Sequence, residues 1–290
     1  MKLPFRLLNV FSIEGEPFSG NPLCVITEAA SVTEADMQSW ARQFNLSEST
    51  FVTAFDVRSA AAAVRIFTPA HEMPFAGHPT LGTAYVVAEA IGTLTGEHLD
   101  RVTLHLPAGP IPVTREGLRW VLQSRPPTAR DVTASPAQLA EALGLSPDQL
   151  VPGAARWIDC GVEQLIVQLR DSEAVRACRP THDGLTASAM PAHGNPQVYV
   201  WAETGPQTAE ARFYFTQDDA VLEDPATGSA CANLGGWFVT SGRRDVHLEV
   251  SQGTAVGRPS RLSLRVTGEG DILVGGRVRE VGAGHLTAGH

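Results

Sequence analysis

Apolar and polar residues alternate along many short stretches of the chain, a pattern that is typical of β-strands with one buried face. The clearest stretches are FRLLNVF (5–11), STFVTAF (49–55), AVRIFT (63–68), RVTLHL (101–106), QVYVWA (197–202), ARFYFT (211–216) and RLSLRV (261–266). Few of them are separated by segments as long as a helix. The pattern therefore predicts sheets in which most neighbouring strands run antiparallel.

Two further stretches place apolar residues at helical spacing on one face only. TEADMQSWARQF (33–44) begins at Thr33, a residue type that caps helix N-termini. SPAQLAEALG (135–144) begins with Ser135 and has a proline at its first helical position and a glutamine at its third, which is a capping box. The second helix is expected to end at Gly144. Both patterns predict amphipathic helices on the outside of the protein.

Two other helical stretches are apolar or small on every side. They are PTLGTAYVVAEAIG (79–92) and PATGSACANLGGWFVTSG (225–242), and helices of this kind are buried. Their first residues share the frame P-x-x-G-[ST]-A, which aligns Pro79 with Pro225 and places His78 opposite Asp224. A strand-like stretch precedes each frame. The repeat predicts an α+β fold of two pseudo-symmetric domains, each a curved, mainly antiparallel sheet or barrel around a central helix.

A chain of 290 residues is long enough for two such domains. The polar, proline-rich stretch SRPPTARD (124–131) is the candidate linker. We predict a first domain over residues 1–120, to which a C-terminal strand at about 278–290 returns, and a second domain over residues 125–277.

Composition and charge narrow the class of function. Hydrophobic residues make up 43% of the chain and charged residues 18%, and no apolar run approaches the roughly 20 residues of a membrane helix. The start of the chain, with Pro4 and no small-residue cleavage site, is expected to be a strand and not a signal peptide. A net charge of −9 opposes binding to nucleic acid. We expect a cytoplasmic protein with a small-molecule partner and no membrane or nucleic-acid partner.

The cysteines support a reducing compartment. Cys24, Cys160, Cys178 and Cys231 are too far apart for a C-x-x-C motif and too few for a disulfide framework in a chain of this length. Cys231 follows the second repeated frame, where a small buried residue is the ordinary interpretation.

The repeated frame also indicates where a ligand could bind. A helix that starts from a tight turn presents unpaired N–H groups and a partial positive charge, which suit a carboxylate or phosphate. If the two helix ends face each other, His78 and Asp224 serve one cleft. The alternative is that His78 and Asp224 are N-caps, a role that aspartate fills often and histidine rarely.

Other chemistries have weaker support in the sequence. A zinc site would have to use His71, Glu72 and His78, whose spacing is not that of H-E-x-x-H. Neither a P-loop nor a G-x-S-x-G elbow is present. Glu48, in NLSESTFV, is by itself an ordinary loop carboxylate.

Five motifs resemble those of the PhzF (phenazine biosynthesis-like) family, in the same order and over essentially the full length. They are NVFSIEGEPFSGNPLCV (9–25), NLSESTFV (45–52), FTPAHEMPFAGHPTLGTA (67–84), LEDPATGSACANLGGW (222–237) and SQGTAVGRPSRL (251–262). The resemblance implies the diaminopimelate epimerase fold, with the active site between two similar domains. It further implies a homodimer that uses no cofactor.

The resemblance also implies roles for individual residues. Characterised members isomerise trans-2,3-dihydro-3-hydroxyanthranilate, with a glutamate that removes a proton from carbon and returns it elsewhere. Glu48 matches that general acid/base, and His78 and Asp224 match residues that position the substrate and assist proton movement. Substrate polar groups are expected to bind at Gly77, Gly228 and Ser229.

We therefore expect a metal-independent, cofactor-independent isomerase that moves a proton between carbons of a small cyclic or amino-bearing carboxylate. The alternative is a non-catalytic metabolite-binding protein that uses the same cleft, and a third hypothesis is zinc-dependent hydrolysis. Racemisation by two opposed thiols, as in the related diaminopimelate epimerase and proline racemase, is disfavoured. His78 and Asp224 occupy the motif positions, and Cys231 lies deeper in its helix.

Overall fold

The computed structural model describes residues 2–287. It divides into two compact units, which we call unit 1 (Met1–Gln123 with Gly275–His290) and unit 2 (Ser124–Val274). Residues 288–290, the end of the predicted C-terminal strand, lie outside the described part.

Unit 1 contains eight strands and two helices before residue 124. The strands are β1 (Lys2–Val10), β2 (Asn21–Ile26), β3 (Glu48–Asp56), β4 (Ala61–Phe67), β5 (Glu72–Met73), β6 (Arg101–Leu106), β7 (Gly109–Glu116) and β8 (Arg119–Gln123). The helices are α1 (Glu34–Phe44) and α2 (Gly77–Thr95).

Unit 2 has strands and helices in a closely similar order. Its strands are β9 (Thr128–Arg130), β10 (Leu150–Asp159), β11 (Glu163–Leu169), β12 (Gln197–Gly205), β13 (Thr208–Gln217), β14 (Ala220–Asp224), β15 (Val246–Gln252) and β16 (Ser260–Val266). Its helices are α3 (Pro136–Leu143), α4 (Ser172–Ala177), α5 (His182–Ser188) and α6 (Gly228–Thr240), with short 3₁₀ turns at Pro147–Gln149 and Thr254–Val256. The last strand, β17 (Ile272–Thr287), begins in unit 2 and continues in unit 1.

The strands of unit 1 close into a barrel. β1 pairs antiparallel with β2, β2 parallel with β3, β3 antiparallel with β4, and β4 parallel with β6. β6, β7 and β8 continue as an antiparallel series, and both β8 and β1 pair with β17. Eight strands thus form a closed ring. The two-residue strand β5 lies outside the ring and pairs antiparallel with the end of β4.

Unit 2 repeats these pairing directions. β10 pairs antiparallel with β11, β11 parallel with β12, β12 antiparallel with β13, and β13 parallel with β15. β15 pairs antiparallel with β16. β14 pairs antiparallel with the end of β13, as β5 does with the end of β4. The predicted α+β fold of two similar, mainly antiparallel sheets is confirmed.

Each unit surrounds one buried helix, as the all-round apolar stretches predict. α2 and α6 pack against the strands of their own unit. At Gly82, a Cβ atom would lie 2.5 Å from the Leu23 side chain and 2.9 Å from the Val10 side chain, so only glycine lets α2 approach β1 and β2 this closely. None of the helices in residues 2–287 is long and apolar enough to cross a membrane.

The two outer helices also form as predicted. The Thr33 side chain accepts a hydrogen bond from the backbone N–H of Asp36 at the start of α1. Ser135 and Gln138 form the reciprocal capping box of α3, which ends at Gly144 in the left-handed conformation.

The alignment of the internal repeat was wrong in register. Glu72 lies opposite the last residue of β4, and Glu223 lies opposite Tyr214 of β13. The central helices begin at Gly77 and Gly228, at the same distance after these glutamates. The structural repeat is therefore E-x-P-x-x-G, formed by EMPFAG (72–77) and EDPATG (223–228).

This register changes which residues are equivalent. Pro225 corresponds to Pro74, and not to Pro79 as the sequence frame suggested. His78 and Ser229 are each the second residue of a central helix, and Asp224 corresponds to Met73. The expected equivalence of His78 and Asp224 does not hold.

An arginine–glutamate pair recurs at the same place in both units. In unit 1, Arg65 lies over a β4 phenylalanine ring and binds Glu72, with Nε to Oε1 at 2.7 Å. In unit 2, Arg212 lies over the ring of Tyr214 and binds Glu223, with Nη2 to Oε2 at 2.7 Å. Each pair links the strand that carries the arginine (β4 or β13) to the short strand before the central helix (β5 or β14).

Candidate active site

Glu48 is the first residue of β3, directly after the turn that follows α1. Asn45 ends α1 with φ at 51°, a left-handed conformation that asparagine tolerates better than most residues. The turn brings Glu48 beside Leu23 of the parallel strand β2. Its side chain is 16% exposed, so the carboxylate is largely buried and still accessible.

His78 lies beside this carboxylate. Its Nε2 atom lies 3.5 Å from Oε2 of Glu48, and its side chain is only 6% exposed. Burial lowers the pKa of His78 to about 3, and a hydrogen bond to the backbone of Pro22 acts in the opposite direction. The imidazole is therefore neutral at ordinary pH.

The hydrogen bonds determine the tautomer of His78. Nε2 makes no hydrogen bond within residues 2–287, so the ring nitrogen that donates to the Pro22 carbonyl is Nδ1. A neutral imidazole has one N–H, which leaves Nε2 with a lone pair directed to the side of Glu48. Glu48 in its protonated form can donate to this lone pair.

The start of α2 leaves backbone donors without a side-chain cap. The N-cap residue is Ala76, so the alternative that His78 is the cap is wrong. Pro79 lacks an N–H in the first turn, where no intrahelical acceptor exists for one. Gly77 and His78 are the first two residues whose N–H groups point out of the helix end.

Asp224 lies at the end of β14 and is not the N-cap of α6. The N-cap is Thr227, whose hydroxyl donates to Oδ2 of Asp224 at 2.5 Å. Gln252 of β15 supports this turn, because its Nε2 donates to the Asp224 carbonyl at 2.9 Å and to Thr227 Oγ1 at 3.1 Å. At Gly253, with φ at 81°, a Cβ would lie 2.4 Å from the Pro225 carbonyl oxygen. These contacts explain why β15 ends in Gln252 followed directly by Gly253.

Ser229 and Gly228 open α6. The Ser229 hydroxyl accepts a hydrogen bond from Nε2 of Gln164 at 3.1 Å. Behind it, Gln164 accepts from Nδ2 of Asn233 at 2.8 Å. The sequence predicted no role for Gln164, Asn233, Thr227 or Gln252. The last three lie within the quoted motifs, but most of their partners lie on other elements.

The thiols are buried and protonated. Burial raises the pKa values of Cys24, Cys160 and Cys178 to about 12 and raises that of Cys231 further. A thiol in this state is a poor base, which agrees with the expectation against two-thiol racemisation.

The zinc hypothesis receives no geometric support. Within residues 2–287, no three or more His, Cys, Asp or Glu side chains come together in a way that could hold a metal ion. Glu72, one of the three suggested ligands, is instead bound by Arg65. His71 is exposed.

The fold, in which two similar units each surround a buried helix, defines a class of protein, the epimerase-like fold. A PhzF family phenazine biosynthesis protein from Bacillus anthracis has the same fold, with a TM-score of 0.84 and 22% identity over 99% of this chain and 100% of that one. A predicted epimerase from Pseudomonas aeruginosa gives 0.77 and 28%, with coverage of 99% and 100%. A probable proline racemase from Agrobacterium radiobacter, at 0.60 and 10%, shares the fold, with coverage of 98% and 93%.

The sequence comparisons identify the family. The model of the phenazine biosynthesis-like protein family matches residues 9–281, and the chain belongs to this family. An uncharacterized isomerase of Pasteurella multocida is 37% identical, over 97% of this chain and 93% of its own. The trans-2,3-dihydro-3-hydroxyanthranilate isomerase of Pseudomonas aeruginosa is 32% identical, over 92% of each chain. The protein is an isomerase of the PhzF type.

Proposed function

We propose that the protein is a cofactor-independent isomerase that moves a proton between carbons of a small cyclic or amino-bearing carboxylate. The proposed model substrate is trans-2,3-dihydro-3-hydroxyanthranilate, on which the Pseudomonas aeruginosa relative acts. One observation carries the proposal. Oε2 of Glu48 lies 3.5 Å from Nε2 of a buried, neutral His78.

In the proposed reaction, Glu48 acts first as base and then as acid. Its carboxylate takes a proton from a substrate carbon, and the electron pair of the broken C–H bond shifts along the conjugated system. The new O–H of Glu48 can donate to His78 Nε2 while the substrate rearranges. Glu48 then returns the proton to a different carbon, so no electrons enter or leave.

The neutral state of His78 supports this double role. An imidazolium beside Glu48 would favour the carboxylate form and hinder uptake of the substrate proton. The Nε2 lone pair instead stabilises the protonated carboxyl group. His78 can thus assist proton movement without carrying a charge itself.

The residues at the start of the central helices are proposed to bind the polar groups of the substrate. The N–H groups of Gly77 and Gly228 and the Ser229 hydroxyl supply hydrogen-bond donors at the positive ends of helix dipoles, which suits a carboxylate. Asp224 is proposed to accept a hydrogen bond from an amino or hydroxyl group.

Cofactor independence and homodimeric assembly are proposed from the family resemblance alone. Elemental analysis of the purified protein and activity after chelation test the first. Light scattering at working concentration tests the second.

The central experiment is NMR in heavy water with trans-2,3-dihydro-3-hydroxyanthranilate and a panel of small carboxylates. We expect the wild type to isomerise a substrate and to place deuterium on carbon. Glu48→Gln should be slower by at least about 100-fold, because it removes the only proposed base, and should keep ligand affinity within about tenfold. Glu89→Gln, an exposed glutamate on α2, is the matched control and should behave as wild type.

A Glu48→Gln variant with wild-type exchange would contradict the mechanism. Binding of a carboxylate without any exchange by the wild type would favour the alternative of a non-catalytic metabolite-binding protein. Activity that disappears on chelation and returns with zinc would favour the hydrolase hypothesis.

A further inference from the structure

Two buried amide side chains extend from Ser229 into unit 2. Gln164 of β11 and Asn233 of α6 are 2% and 1% exposed. Gln164 Nε2 lies 3.1 Å from Ser229 Oγ, and Asn233 Nδ2 lies 2.8 Å from Gln164 Oε1. Buried amides of this kind normally satisfy each other's hydrogen bonds, and the direction of each bond matters.

The far end of this series fixes the orientation of Asn233. The backbone N–H of Cys160 donates to Asn233 Oδ1 at 2.8 Å, and a backbone N–H can only donate. The amide nitrogen of Asn233 donates to the Val162 carbonyl at 2.8 Å, and a carbonyl can only accept. Both backbone contacts require the same placement of the oxygen and the nitrogen in the Asn233 side-chain amide.

The orientation of Asn233 determines the orientation of Gln164, which in turn determines whether Ser229 donates or accepts. Since Asn233 presents its NH₂ group, Gln164 must present its oxygen there and its own NH₂ group to Ser229. Ser229 Oγ is therefore an acceptor in this bond, and its hydrogen points away from Gln164. Within residues 2–287 the Ser229 hydroxyl makes no other hydrogen bond.

We propose that Gln164 and Asn233 are positioning residues that make Ser229 a hydrogen-bond donor to the ligand. A donor hydroxyl beside the N–H groups that open α6 selects an anionic oxygen, such as that of a carboxylate, over a donor group of the substrate. The proposal rests on the proposed function in one respect, namely that Ser229 faces the substrate.

Two substitutions of Gln164 separate this role from a purely structural one. Gln164→Met keeps the volume and removes the bond, so the Ser229 hydroxyl can rotate. Gln164→Glu is isosteric, and in its ionised form the new carboxylate accepts from both Asn233 and Ser229, which turns the Ser229 hydrogen inward. In its protonated form the new carboxyl group can donate to Ser229 as the amide does.

The measurement is titration calorimetry with anthranilate (2-aminobenzoate) between pH 5 and pH 9, on full-length protein. We expect Gln164→Met to bind about fivefold to tenfold more weakly at every pH, the effect of one lost hydrogen bond. Gln164→Glu should approach wild-type affinity at the acid end and fall at least about tenfold below it at the alkaline end. Gln168→Met and Gln168→Glu, on the same strand, are the matched controls and should follow wild type.

A loss in Gln164→Glu that is the same at every pH would overturn the proposal, because it would indicate damage to packing and not a reversed hydroxyl. Equal affinity of wild type and Gln164→Met would overturn it as well.

A second measurement needs no ligand and separates this proposal from the proposed function. The side-chain NH₂ signals of Gln164, assigned by their loss in Gln164→Met, should shift and lose protection from hydrogen exchange in Ser229→Ala. Unchanged signals would overturn the proposal whatever the binding data show. Shifted signals in a protein that binds no carboxylate would leave the direction of the bonds intact and count against the proposed substrate class.

Discussion

The two units place different side chains on the same framework. β3 begins with Glu48 and β12, its counterpart, begins with Gln197. The second residue of the central helix is His78 in unit 1 and Ser229 in unit 2. Unit 1 thus carries two groups that can take up a proton, and unit 2 carries an amide and a hydroxyl at the equivalent positions.

The difference shows that two units of the same fold can carry different chemical groups at equivalent positions. The E-x-P-x-x-G turn, the arginine–glutamate pair and the buried helix fix where side chains stand in each unit. Side-chain identity then decides what each position does. In the proposed function, proton transfer uses Glu48 and His78 of unit 1, and unit 2 supplies further substrate-binding groups, among them Asp224 at the position of the equivalent Met73.

The largest expected effect comes from exchanging the acid and the amide. Glu48→Gln should lower the exchange rate by about 100-fold to 10,000-fold, the usual contribution of a general acid/base. Adding Gln197→Glu should not restore it, because unit 2 has Ser229 where unit 1 has the histidine. Deuterium incorporation measured on the wild type, Glu48→Gln and the double variant tests this. Recovery by the double variant to within tenfold of wild type would show that the units are interchangeable.

The arginine–glutamate pairs provide a comparison of stability. Arg212 is 9% exposed at its side chain and its partner Glu223 is 8% exposed. Its Nη1 also donates to the backbone carbonyls of Val175, Arg176 and Cys178. Arg65 is 28% exposed, and its second partner, Glu34, is 72% exposed. The pair in unit 2 is therefore shielded from water and the pair in unit 1 is not.

Arg212→Met should lower the free energy of unfolding by about 3 kcal/mol, because it leaves a buried carboxylate and carbonyls without their donor. Arg65→Met should cost about 1 kcal/mol, since water can replace the lost contacts. Urea unfolding of both variants measures the difference. Equal losses would mean that burial does not distinguish the two pairs.

Much of the fold could be predicted because its signals are local. Alternation marks the strands, Thr33 and Ser135 mark the starts of the outer helices, and the absence of a polar face marks α2 and α6 as buried. Each of these depends on residues close together in the chain.

The register of the repeat could not be predicted in the same way. Small residues recur in both central helices because both pack against strands, so a short match of prolines, glycines and alanines aligns at more than one offset. Strand pairing resolves the register, since it places Glu72 and Glu223 opposite equivalent aromatic residues.

The candidate site was only partly accessible from sequence. The pairing of Glu48 with His78 depends on the parallel contact of β2 with β3 and on the start of α2, which lie apart in the chain. Gln164 lies outside the quoted motifs and Asn233 lies inside one without any mark of its contacts, because those contacts depend on hydrogen bonds between separate elements. The catalytic roles of Glu48, His78 and Asp224 remain proposals.

A smaller effect should appear in the acid sensitivity of folding. The pKa of His78 is about 3 in the folded protein and near 6.5 for an exposed histidine, so between these pH values the unfolded chain binds a proton that the folded chain does not. Stability should therefore fall as the pH drops below about 6.5, with a contribution from His78 of about 1.4 kcal/mol per pH unit.

His78→Asn should remove this contribution, and Ser229→Ala, at the equivalent position of unit 2, should keep it. Urea unfolding between pH 4.5 and pH 7 compares the slopes. An unchanged slope in His78→Asn would show that the histidine is protonated in the folded state.

The smallest expected effect concerns the thiols, which bear on the comparison with racemases that use paired cysteines. Cys24 of unit 1 pairs with Ser49, the residue after Glu48, and Cys231 of unit 2 lies two residues after Ser229, yet burial raises the pKa of both thiols. Iodoacetamide at pH 8 should therefore modify the folded protein at least about 100-fold more slowly than the urea-unfolded chain, with activity unchanged within about twofold. Rapid modification that parallels loss of activity would instead place a thiol at the reacting carbon, and the division between a proton-carrying unit and a binding unit would have to be abandoned.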